Sequence, residues 1–80
     1  RLSGAVLVGT DFTDANLRGA DLSGADLSEA ILWDADLSGA RLTGARLGGA
    51  FLTGARYDSS TLFPEGFDPA SEGMTRSDCD

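Results

Sequence analysis

The chain repeats every five residues, and that period excludes the two standard ways of forming a core. Leu stands at positions 7, 17, 22, 27, 32, 37, 42, 47, 52 and 62, and Phe12 and Tyr57 hold the same phase. Ala precedes that position by two places at 5, 15, 20, 25, 30, 35, 40, 45, 50 and 55, with Thr10 and Ser60 as the exceptions. On an α-helix, five steps of about 100° would set each Leu about 140° from the last, so no apolar stripe forms. On a straight strand, where side chains alternate, an odd repeat sends successive leucines to opposite faces. The period becomes productive when the chain turns after every pentapeptide. The small residues Gly, Ser and Asp at the last two positions suit a corner. Ala and Leu then point inward from every side, and stacked coils bury a continuous column of Leu.

The number of sides follows from the residue just before each Leu, which points outward and sits above its equivalent one coil later. At a spacing of twenty, Arg1 meets Asp21, Asp21 meets Arg41, Asp26 meets Arg46, Asp36 meets Arg56 and Ile31 meets Phe51. No two like charges coincide. At fifteen, Asp11 meets Asp26, Asp21 meets Asp36 and Arg41 meets Arg56, contacts that cross-strand packing disfavours. Four sides are expected, with Leu columns 7/27/47, 12/32/52, 17/37/57 and 22/42/62.

The A-D/N-L-x-x pattern of Ala15-Asn16-Leu17, Ala20-Asp21-Leu22, Ala25-Asp26-Leu27 and Ala35-Asp36-Leu37 resembles the pentapeptide-repeat proteins. The resemblance covers residues 1–64. It implies an all-β fold, a right-handed quadrilateral β-helix of about three coils. The segment from Tyr57 to Met74 is similar to the C-terminal ending of many bacterial, notably cyanobacterial, members. Some members mimic DNA and bind DNA gyrase, protecting it from quinolones, which makes gyrase binding the alternative function that the resemblance implies. Two features count against it in this chain. Three coils at about 4.8 Å each give a rod of only about 15 Å, and Arg41, Arg46 and Arg56 stand where the family usually has Asp or Asn.

Composition narrows the chemistry further. Thirteen acids against six Arg give a net charge of -7, with no His and a single Cys. Zinc and haem sites then lack a ligand set, and Ser-His or Cys-His nucleophilic pairs cannot be assembled. No cofactor, no metal and no catalytic residue is expected. Cys79 cannot form an intrachain disulfide, and between Asp78 and Asp80 it reads as an unreactive thiol. The acidic balance and the absence of a concentrated basic face argue against direct nucleic-acid binding. No apolar run approaches the roughly 18 residues of a membrane span, and Arg1 already falls inside the repeat. The expectation is a cytoplasmic protein that does not engage membrane, or a part of a longer polypeptide.

After Pro64 the repeat dissolves into EGFDPASEGMTRSDCD. An open solenoid end exposes backbone edges and apolar core, so residues 65–80 are expected to supply a C-terminal cap, with Phe63, Phe67 and Met74 as capping side chains and the end from residue 75 frayed. At the other end, Val6 and Val8 face outward, consistent either with a covering partner or with plain strand propensity.

One apolar cluster interrupts the polar outer surface. Ile31, Trp33 and Phe51 fall on the same side of the square, two coils high, with Thr13 and Thr53 flanking. Three large apolar side chains stacked together reach the size at which patches mark contacts. Two readings stand: a protein interface, through a partner or self-association, or a patch covered by the returning tail. The function expected is therefore a non-catalytic structural or protein-interaction module, a rigid β-solenoid wall.

Overall fold

The computed structural model describes residues 3–76, so Arg1, Leu2 and Cys79 lie outside the described residues. Each pentapeptide through residue 55 makes the same local decision. The carbonyl of the central residue accepts the N–H three positions on, as from Ala15 to Phe12 at 2.9 Å and from Ala25 to Leu22 at 3.0 Å, closing a turn at every corner. The third residue of each turn adopts positive φ, which glycine tolerates freely. Asp14, Glu29 and Asp34 take the same conformation at 63°, 60° and 60°.

Outward acids reinforce these corners. Oδ1 of Asp11, Asp21, Asp26 and Asp36 accepts the N–H of the residue two positions on, at 2.9, 3.2, 3.1 and 3.1 Å. The hydroxyls of Thr13, Ser23 and Ser28 donate to the same oxygens at 2.6, 2.8 and 2.7 Å. The pairing of Asp with Ser or Thr inside each pentapeptide is thus a side-chain cap on a turn.

Successive coils join through parallel bridges at a spacing of twenty. Val6 pairs with Asp26 and Asp26 with Arg46, Asp11 with Ile31 and Ile31 with Phe51, Asn16 with Asp36 and Asp36 with Arg56, and Asp21 with Arg41. The result is a right-handed quadrilateral β-helix. Its first wall carries residues 6–8, 26–28 and 46–48, its second 11–13, 31–33 and 51–53, its third 16–18, 36–38 and 56–58, and its fourth 21–23 and 41–43. Leu22, Leu27, Leu32, Leu37 and Leu42 fill the centre with at most 1% of their surface exposed.

The column 22/42/62 does not continue as expected. Arg41 pairs with Leu62 instead of Thr61, and the Leu42 N–H donates to the Leu62 carbonyl at 2.6 Å. One additional residue has entered the corner at 58–61, where Thr61 N–H bonds back to Asp58 at 3.1 Å. Side-chain alternation then turns Leu62 outward, 49% exposed, and Phe63 inward against the core. Thr61 takes the place of the inward Ala. Its hydroxyl donates to the Leu37 carbonyl at 3.0 Å and accepts the Gly39 N–H at 3.1 Å. Asp58 accepts that N–H as well, at 3.0 Å, so side chains replace a bond that earlier corners make with backbone.

The tail then packs over the end of the column. Phe63 meets Tyr57 edge-on at 5.5 Å and stacks on Phe67 at 5.0 Å, while Met74 is 8% exposed within the core. A short 3-10 turn, Ala70–Glu72, precedes it. Strand β1 (Arg56–Tyr57) pairs in parallel with β2 (Thr75–Arg76). The expected fraying from residue 75 is therefore corrected at Thr75 and Arg76, which extend the third wall because Met74 seats in the core beside them; residues 77–80 lie outside the described residues.

Candidate functional site

The second wall gathers Ile31, Trp33 and Phe51. Ile31 and Phe51 are bridge partners on adjacent rungs. Trp33 approaches Phe51 edge-on, with ring centroids 6.0 Å apart and planes at 63°. Ile31 is half-buried, whereas Trp33 and Phe51 keep 45% and 48% of their surface open. The rings lie on a fixed backbone: Asp14 N–H donates to the Trp33 carbonyl at 2.9 Å, and Asp34 N–H to the Thr53 carbonyl at 3.2 Å. Thr13 and Thr53 occupy the rungs on either side of Trp33. Together with Asp34 they line an open groove of about 520 Å³.

The described part of the tail, through Arg76, leaves this surface open. Gly73 extends the column of Thr13, Trp33 and Thr53 by receiving the Gly54 N–H at 3.0 Å, and it covers neither ring. Asp34 was invisible to the repeat argument, although an acid at a position where glycine dominates, directly after Trp33, is the signal that marks it. Ile31 and Phe51 also stand at the position that carries a turn-capping acid at Asp11, Asp21, Asp26 and Asp36. At these positions apolar surface replaces a hydrogen-bonded cap, a local cost of the kind found at functional sites.

Arg18 meets Asp36 at 3.1 Å. Burial raises the Asp36 pKa, but the Ser38 hydroxyl and amide and the Arg18 guanidinium outweigh it and leave the carboxyl below its ordinary value. The hydroxyl and amide of Thr13 lower Asp11 at the margin of the second wall, and those of Ser28 lower Asp26, with Arg46 adding to the effect. Among the described residues no group of three or more His, Cys, Asp or Glu could hold a metal ion, and no helix is long and apolar enough to cross a membrane. The second wall offers two aromatic rings, an aliphatic side chain, two hydroxyls and a carboxylate on an open face, a composition suited to holding another surface.

Comparison with known proteins agrees with this geometry. The family model for pentapeptide repeats matches in eight copies, over residues 1–34 and 20–56. Among solved structures the chain is similar to HetL, a pentapeptide repeat protein involved in heterocyst differentiation regulation from the cyanobacterium Nostoc sp. strain PCC 7120, with 40% identity and a TM-score of 0.76. That match covers 82% of this chain and 31% of HetL, so the chain spans about a third of that relative's length. A second pentapeptide repeat protein from Nostoc PCC 7120 is 38% identical, with a TM-score of 0.56, over 95% of this chain and 79% of its own. A pentapeptide repeat protein of the Arabidopsis thaliana thylakoid lumen is 32% identical, with a TM-score of 0.54, over 90% and 55%. Comparison with curated proteins returned no match.

Proposed function

Because the chain belongs to the pentapeptide repeat family, we propose that it is a rigid, non-catalytic module whose second wall binds protein through Ile31, Trp33 and Phe51. One observation carries the reading: the Trp33–Phe51 edge contact is half-exposed on a hydrogen-bonded ladder that no described residue covers. Trp is the side chain most often found at the energetic centre of an interface, and a pre-ordered wall spares the ordering cost of binding. Self-association would use the patch symmetrically, and a different partner would use it without symmetry. HetL is involved in the regulation of heterocyst differentiation, a role of the kind that a binding module can fill. Gyrase binding by DNA mimicry takes second place. The net charge of -7 supports it, but Arg46 and Arg56 on the rungs beside Asp26 and Asp36 break the acidic run that mimicry uses.

Trp33 is the sole tryptophan and so reports on its own face. Its emission should shift to shorter wavelength as the protein is concentrated into the micromolar range or saturated with partner. A spectrum unchanged under both conditions would refute binding through this wall.

A further inference from the structure

The C-terminal rung is built with a gap, deepest over the first wall, and the cavity there shares no lining residue with the Trp33 groove. In every regular coil the central Leu N–H and the preceding Ala carbonyl point towards the next coil. Leu27 N–H donates to Arg46 at 2.8 Å, the Ala25 carbonyl accepts Arg46 N–H at 2.9 Å, and Glu29 N–H donates to Gly48 at 2.9 Å. One coil later the same groups are Leu47 N–H, the Ala45 carbonyl and Gly49 N–H, and among the described residues none of the three has a hydrogen-bond partner. On the third and fourth walls the tail supplies partners; on the second it meets only the Gly54 N–H, and the Leu52 N–H and Ala50 carbonyl have no partner among the described residues. Leu62 receives the Leu42 N–H, Gly73 receives the Gly54 N–H, and Thr75 donates to the Ala55 carbonyl. Over the first wall, where another rung would lie, Pro64–Phe67 border an open cavity of about 410 Å³.

The lining of this cavity specifies its occupant. Leu47 and Phe67 form an apolar floor, while Glu65 and Glu72 stand on the rim with no side-chain hydrogen bond or ion pair among the described residues. We infer that the slot accepts an extended, basic peptide segment of another protein, which adds the missing rung in parallel register. The peptide residue in the middle repeats the role of Arg46: its N–H bonds the Ala45 carbonyl and its carbonyl accepts the Leu47 N–H. Its neighbours place small apolar side chains over Leu47, and its own basic side chain reaches Glu65 or Glu72. Main-chain bonds supply affinity and the two carboxylates supply selectivity, as in other strand additions. Pairing also removes the open edge that a solenoid end presents.

The test uses the whole chain with the peptide acetyl-Ala-Arg-Ala-Arg-Gly-amide, followed by amide hydrogen exchange and chemical shift. Exchange at Leu47 and Gly49 should slow by about tenfold or more at saturation. The double substitution Glu65→Gln/Glu72→Gln should weaken binding roughly threefold to tenfold at low salt, and N-methylation of the first Arg should abolish it. An N-methylated peptide that binds equally well, shifts confined to residues around Trp33, or no binding at millimolar peptide would each overturn the inference. Undiminished affinity in the double variant would overturn the choice of a basic ligand.

Discussion

The carboxylate of Asp34 lies where a Cβ on Gly54 would stand, one coil above it on the second wall. Gly54 has φ of +78°, so an L-residue there meets both an unfavourable backbone and the acid. Gly44, at +72°, offers a comparison, because a Cβ there would meet only ordinary contacts at 3.9 Å. Gly44→Ala should cost about 1 kcal/mol. Gly54→Ala should cost about 1 to 2 kcal/mol, since Asp34 must also swing away. Urea melts of the two variants give the comparison, and equal losses would show that Asp34 moves aside without cost.

Leucines of the central column carry the fold. Leu27→Ala or Leu37→Ala removes a side chain with 1% exposure and should cost roughly 2 to 5 kcal/mol, enough to unfold a small domain. Leu62→Ala should change stability by less than about 1 kcal/mol, because its side chain is half-exposed. A Leu62→Ala loss equal to that of Leu37→Ala would return Leu62 to the core.

That contrast marks how far the sequence was legible. The lag of twenty, the four walls and the leucine columns through Leu52 follow from period and charge alone. So does the meeting of Ile31, Trp33 and Phe51 on one face. Leu62 was misread because it keeps the five-residue spacing from Tyr57, which hides the additional residue between Asp58 and Thr61. The sign of the change lies in a polar side chain, Thr61, doing the work of Ala. Thr75–Arg76 was unreadable for a related reason: its pairing with β1 depends on Met74 and Phe67 packing at long range, beyond any local pattern.

Removing the tail tests its role as a cover. A chain ending after Tyr57 loses Phe63, Phe67 and Met74 from the core and Thr75 from β1, leaving apolar surface and an unpaired edge. Such edges recruit other chains, so size-exclusion chromatography should show aggregation. A soluble monomer of unchanged stability would assign the tail another purpose.

Acid should weaken the fold through its corners. Asp11 and Asp26 are lowered from 3.8 by the hydroxyls and amides they accept. Asp58 is lowered by Ser60 despite some burial, with Gly39 and Thr61 contributing, and Asp36 shifts the same way. A carboxyl that ionises more readily folded than unfolded stabilises the fold above its unfolded pKa, because the unfolded chain takes up protons first. Stability should therefore be constant above about pH 5 and decline as pH falls through 4 and below. Thr13→Val and Ser28→Ala should flatten the decline. Melting temperatures from pH 7 to pH 3 measure it, and a rise in stability on acidification would contradict the capping role.

Trp33→Ala measures the binding wall most directly, with thermal melting and sedimentation equilibrium run on the same sample. The side chain projects from the wall, so the melting temperature should stay nearly unchanged while dimerisation or partner capture at micromolar concentration disappears. A variant that loses stability but keeps its assembly state would show that Trp33 serves packing, and the wall would no longer stand as the binding surface.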